Sequence, residues 1–130
     1  MPTKLTVFLV DDDIDDQEIF SLMVEDALPD AECVFAKDGL NALEKLEQGS
    51  VNPHIIFIDI NMPRMNGMEF LVELKKRPAL FHIPAIMYST SDENAIVKKC
   101  KDLGASDLIK KQANTDKVKE EIKKVVAEYV

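Results

Sequence analysis

Three six-residue stretches constrain this chain more than anything else in it: "LTVFLV" at 5–10, "HIIFID" at 54–59 and "PAIMYS" at 84–89. Each is nearly continuous in apolar residues rather than alternating. A strand with one wet face alternates apolar and polar side chains, so unbroken runs belong to strands covered on both faces. Strands are expected over Leu5–Val10, Glu32–Ala36, His54–Asp59, Ala85–Ser89 and Asp107–Lys110. Segments of helical period lie between and after them, over Asp15–Ala27, Gly39–Gln48, Gly67–Lys76, Glu93–Leu103 and Thr115–Tyr129. The start and stop residues agree. Asp38 precedes the second helix and Gly49 follows it, while Ser91 or Asp92 opens the fourth and Gly104 closes it. Val118, Ile122, Val125, Val126 and Tyr129 give the last helix one apolar face.

Five strand–helix units with buried strands predict an α/β fold: a single doubly wound parallel five-stranded sheet, (βα)5, with helices on both faces. At 130 residues the length fits one domain over 1–130. There is no repeat or linker, and the chain stops after the fifth helix, so no output domain is expected. In such sheets the site lies outside the carboxyl ends of the strands. Asp11–Asp13 follow the first strand, Asp59 ends the third, Ser89 and Thr90 end the fourth, and Lys111 follows the fifth. Four separate segments thus deliver carboxylates, a hydroxyl and an ammonium to one rim.

The chemistry of that set is specific. Five aspartates occupy six positions in "DDDIDD", and like charges this close repel unless a cation or water compensates. Magnesium takes oxygen ligands, using one or two carboxylates and keeping several waters. Asp12 and Asp59 supply such carboxylates, and a carbonyl of the loop after Asp59 can join them. A bound cation would also neutralise the oxygens of an incoming phosphoryl group, to which Ser89 can donate and with which Lys111 can pair. Phosphoryl transfer to a carboxylate fits best. Two rival chemistries fail on particular residues. An EF-hand loop starting at Asp11 would need glycine where Asp16 stands and glutamate where Leu22 stands. A phosphatase using an aspartyl phosphate would need a second aspartate two positions after Asp59, where Asn61 stands. Asp15 and Asp16 read as the first turn of a helix, opposing its dipole, and Asp13 is open between the site and the helix.

The set "FLVDDD", "IIFIDINMPRMNGMEFL", "IPAIMYSTSDE" and "GASDLIKK" resembles the receiver domain of two-component response regulators, over the whole chain. The acidic start is similar to that of stand-alone regulators, including those that accompany bacterial phytochromes. The resemblance implies the flavodoxin-like strand order 2-1-3-4-5. It implies Asp59 as phosphoacceptor, with Asp12, Asp59 and the main-chain carbonyl of Asn61 as ligands of Mg2+ (or Mn2+) and Asp11 reaching the ion through water. Ser89 takes the switch-hydroxyl position and Lys111 that of the phosphoryl-stabilising lysine, with Lys110 as the alternative. Asp13, Thr90, Ser91 and Leu108 are possible modulators. The implied function is a phosphorelay switch that takes its phosphoryl group from a histidine kinase or a histidine phosphotransfer protein. It signals through a changed surface to a downstream protein and is no enzyme beyond Mg-dependent self-phosphorylation and autodephosphorylation. The fourth-helix, fifth-strand and fifth-helix face is where a homodimer could form. Two departures stand out. Gln112 replaces the proline usual after the lysine, so a trans bond and a rearranged loop are expected. Leu108 replaces an aromatic, and Tyr88 reads as strand packing. The alternative function is a receiver that acts only as a phosphorylation-independent binding module.

The net charge of −8 argues against nucleic acid and anionic membrane as partners. Nine of the 16 basic residues lie between Lys98 and Lys124, a bias that reads as a solvated face or a surface for an acidic partner. Cys33 and Cys100 stand apart with no metal spacing and read as reduced thiols of a cytoplasmic protein. No apolar run approaches membrane-spanning length, and none near the start resembles a signal peptide.

Overall fold

The structure is a computed structural model that describes residues 4–130. Its elements alternate throughout: β1 (Thr6–Val10), α1 (Ile14–Ala27), β2 (Glu32–Ala36), α2 (Gly39–Glu47), β3 (Ile55–Asp59), α3 (Gly67–Lys75), β4 (Ala85–Ser89), α4 (Asn94–Asp102), β5 (Asp107–Lys110) and α5 (Thr115–Tyr129). The five strands are parallel in the order β2-β1-β3-β4-β5. The expected elements are all present: four match residue for residue, five are displaced by a residue at one end, and α4 is shorter by one at each end. Two boundaries are corrections. Asp13 caps α1 by accepting from the amides of Asp15 and Asp16, so the helix begins before Asp15. Neither Ser91 nor Asp92 caps α4, which starts after Glu93 without a side-chain cap.

The unbroken apolar runs are explained by cover on both sides. Val7 through Val10, Ile55 through Ile58 and Ala85 through Met87 are all buried. Phe8, Val10, Ile56, Ile58 and Met87 pack with Leu43, Phe70, Leu71 and Leu74 in one layer, against α2, α3 and α4. Val7, Leu9, Phe57 and Ile86 pack with Phe20, Met23, Val118 and Ile122 in the other, against α1 and α5. Each fully buried side chain of this size contributes roughly 1.5–3 kcal/mol. Registers such as Val10↔Ile58 and Asp59↔Tyr88 bring the strand ends level. The residues that follow β1, β3, β4 and β5 therefore meet on one rim.

A close backbone approach shapes that rim. Gly67, the first residue of α3, donates its amide to the Ile60 carbonyl at 2.8 Å. A Cβ there would collide with the Asp59 carbonyl and lie 2.8 Å from Ile60 Cα. Both obstacles are backbone and cannot swing away, so only glycine lets α3 start against the end of β3. Gly67→Ala is expected to lower the unfolding free energy in urea by about 3 kcal/mol. A loss under about 0.5 kcal/mol would show that the two segments are not held this close.

Candidate functional site

Asp11 follows β1 and is fully buried, Asp59 ends β3 at 7% exposure, and Ser89 ends β4 at 4%. Asp11 is fixed on three sides. Its amide donates to the Ala36 carbonyl, its carbonyl accepts from the Gln17 side-chain amide, and its Oδ1 accepts from the Asp13 amide at 3.0 Å. Lys111 enters from the end of β5, its amide donating to the Ser89 carbonyl at 2.6 Å. Its ammonium meets Asp16 Oδ2 at 2.9 Å, Asp11 Oδ2 at 3.1 Å and Asp59 Oδ1 at 3.3 Å. The Tyr88 ring lies 5.1 Å from the same ammonium and 5.4 Å from the Phe20 ring, so Tyr88 is a packed residue that also borders the charge. Lys110 points elsewhere, to Asp92 at 3.7 Å.

Burial sets the electrostatics. It pushes the Asp59 pKa up to about 6 against the opposing pull of Lys111, with Asp11 adding to the rise. It raises Asp11 as well, against the Asp13 amide and Lys111. Burial pulls the Lys111 pKa down, but Asp16, Asp11 and Asp59 together hold it above the ordinary lysine value. One ammonium thus faces three carboxylates, and the cluster remains short of positive charge.

The donor set fits a hard divalent cation. One carboxylate oxygen from each of Asp11, Asp12 and Asp59 lies within 4.8 Å of the others, a spacing that magnesium or manganese can bridge directly or through water. Asp12 is exposed at the mouth of the site, and Asn61 is exposed on the loop after Asp59. Thr90 is exposed beside Ser89. The Ser89 hydroxyl accepts from the Ser91 amide at 3.1 Å, and the Ser91 hydroxyl accepts from the Glu93 amide at 3.3 Å. Leu108 is half-buried against the α4 side of the sheet, away from the carboxylates. The Asp13 carboxylate is engaged in the cap of α1.

Two features escaped the sequence reading. Asp16 joins the site instead of merely opposing the helix dipole, its carboxylate meeting the Lys111 ammonium at 2.9 Å. The loop after Asp59 is tied down by Arg64, whose guanidinium meets the buried Asp38 carboxylate at 2.6 Å. Burial alone would raise the Asp38 pKa, but the Asn41 amide and Arg64 carry it below the usual range. Arg64 has φ 66°, a left-handed turn held by that ion pair. All peptide bonds among the described residues are trans, including the one between Lys111 and Gln112, and Lys111 reaches the site without a proline after it.

A family model described as the response regulator receiver domain matches residues 7–123. Response regulator Rcp1 of Synechocystis is 33% identical over 95 residues, covering 69% of this chain and 64% of that protein. The chain spans less than two thirds of the length of the first curated relatives it matches. The structure of the phosphorylated cyanobacterial phytochrome response regulator RcpA superposes with a TM-score of 0.85 at 27% identity, covering 98% of this chain and 94% of the other. The manganese-bound form of Rcp1 gives 0.77 at 27% identity, with 95% and 92% covered.

An acid whose pKa is raised by folding binds more protons folded than unfolded between 3.8 and about 6, so ionising Asp59 destabilises the fold as pH rises through that window. In chelator at pH 7, Asp59→Asn is expected to raise the unfolding free energy by about 1–3 kcal/mol in urea titrations. The gain should shrink toward zero near pH 4. An asparagine variant less stable than wild type at pH 7 would contradict the charge imbalance.

Proposed function

The chain belongs to the response regulator receiver family of two-component signalling, and from that premise we propose that Asp59 is its phosphoacceptor. The observation that carries the reading is the pairing of Asp59 with Lys111 at 3.3 Å inside a set of carboxylates spaced for a divalent cation. A pKa of about 6 leaves Asp59 largely ionised at pH 7, as a nucleophile must be. One of its oxygens attacks phosphorus as the N–P bond of a phosphohistidine breaks, and the electron pair leaves with the imidazole nitrogen. Lys111 offers its N–H groups to the incoming phosphoryl oxygens, and the Ser89 hydroxyl, held at the neighbouring strand end, offers another donor. Asp12, Asp11, Asp59 and the Asn61 carbonyl would hold Mg2+ or Mn2+. The chemistry the ion supplies when bound is neutralisation of carboxylate and phosphoryl charge together.

The partners follow from the same reading. The phosphoryl donor is a histidine kinase or a histidine phosphotransfer protein, docking where Ile14, Ile19 and Leu22 leave apolar side chains exposed on α1 beside the rim. The output leaves through the α4, β5 and α5 face, either to a downstream protein or to a second copy of this chain. That face is mixed in charge: Lys98 pairs with Asp102 and Lys123 with Glu120, while Lys117 and Lys124 share a groove of about 420 Å³ with Asp92, Glu121 and Glu128. This interleaving favours a solvated face with local pairings over a uniformly basic surface. Leu108 fills its place on β5 without an aromatic ring, so the change at Ser89 is read out by backbone movement. No helix among the described residues is long and apolar enough to cross a membrane, and the switch is proposed to work in the cytoplasm.

With Mg2+ and a small acyl-phosphate donor, intact-mass spectrometry is expected to find one added phosphoryl group on the wild type and none on Asp59→Asn. A wild-type chain that stays unmodified would instead favour a module that binds without phosphorylation.

A further inference from the structure

We propose that Asp16 is a positioning residue: it anchors the Lys111 ammonium so that the ammonium keeps its place beside Asp59 while the other carboxylates are engaged elsewhere. This rests on the reading of Asp59 as phosphoacceptor and extends it to a residue outside the metal set. The Lys111 ammonium has three N–H groups, and Asp16, Asp11 and Asp59 take one each, with Asp16 the nearest at 2.9 Å. Two of those acceptors have a second claimant, since Asp11 and Asp59 both belong to the carboxylate group spaced for a cation. Asp59 has a third when a phosphoryl group is attached to it. Asp16 alone among the three has no other cationic partner in the site.

Lysine carries four rotatable bonds and loses much of its rotamer freedom when fixed. An acceptor that stays in place throughout the reaction removes that ordering cost from the step in which phosphoryl oxygens arrive. The anchor is itself well founded. Asp13 Oδ1 accepts from the Asp16 amide at 3.1 Å, so the cap of α1 sets the turn that carries Asp16. The ammonium side is equally confined, with the Lys111 side chain only 15% exposed and the Tyr88 ring beside it. No proline follows Lys111 to stiffen its loop. The ion pair from α1 holds the side chain instead.

The test compares Asp16→Asn with Asp15→Asn, which removes the same charge from the same helical turn but no contact with Lys111. Calorimetric titrations measure Mg2+ binding, and then the binding of beryllium fluoride, a phosphoryl analogue, in saturating Mg2+. Asp16→Asn is expected to weaken beryllium fluoride binding about tenfold while Mg2+ affinity stays within about twofold of the Asp15→Asn value. Asp16→Glu, which keeps the carboxylate, should recover most of the loss. Unchanged beryllium fluoride binding in Asp16→Asn would overturn the anchor. Tighter binding would also overturn it, by showing that Asp16 competes for the ammonium. A wild-type protein that binds Mg2+ but no beryllium fluoride would overturn the phosphoacceptor reading itself, and the anchor with it.

Discussion

One buried ammonium among three carboxylates is the interaction on which the rest of this structure depends. Lys111 lies 2.9, 3.1 and 3.3 Å from Asp16, Asp11 and Asp59, and without it the ends of β1 and β3 would bring two buried like charges together. A buried charge survives only when it is paired and hydrogen-bonded. Here the pairing is incomplete by design of the charges: the carboxylates outnumber the ammonium, and the Asp59 pKa remains raised to about 6. The deficit leaves the carboxylates room for further positive charge.

The fold makes that deficit tolerable and directs it. A parallel sheet covered on both faces ends its strands on one rim, so groups far apart in sequence converge without any long loop. Three local devices then fix the rim. Gly67 lets α3 start against the end of β3, the Asp13 cap sets the first turn of α1, and the Arg64–Asp38 pair ties the loop after Asp59 to the start of α2. Each device is cheap to break by one substitution, and each lies within a few residues of a charged group of the site.

Much of this was legible in the sequence, for a physical reason. A strand buried on both faces must be apolar throughout, so "LTVFLV", "HIIFID" and "PAIMYS" declare themselves. Carboxylates at strand ends are equally visible, because nothing in the core tolerates them. Strand order was not legible from periodicity, since alternating units fit several orders; it came from the likeness of the motifs to a family. Asp15 and Asp16 do lie in the first turn of α1, but the helix starts one residue earlier than its periodicity suggests, at Ile14, and that shift is what makes Asp13 the cap. Asp16 was missed because its partner is 95 residues away. The choice between Lys111 and Lys110 turns on strand parity. Lys110 shares the parity of Leu108, toward α4, whereas Lys111 shares that of Ile109, toward α1 and the carboxylates. The Arg64–Asp38 tie has no sequence signature, because its geometry needs the left-handed turn at Arg64.

Asp11, Asp12 and Asp59 are spaced as one divalent-cation site, while Asp13, in the same acidic run, is engaged in the cap of α1. Isothermal titration of Mg2+ into wild type, Asp12→Asn and Asp13→Asn tests this most directly. A single Mg2+ site is expected in the wild type, with affinity lowered at least about tenfold in Asp12→Asn and within about threefold of wild type in Asp13→Asn. Equal losses in the two variants would contradict it, by showing that the acidic run attracts cations as a diffuse charge and builds no site.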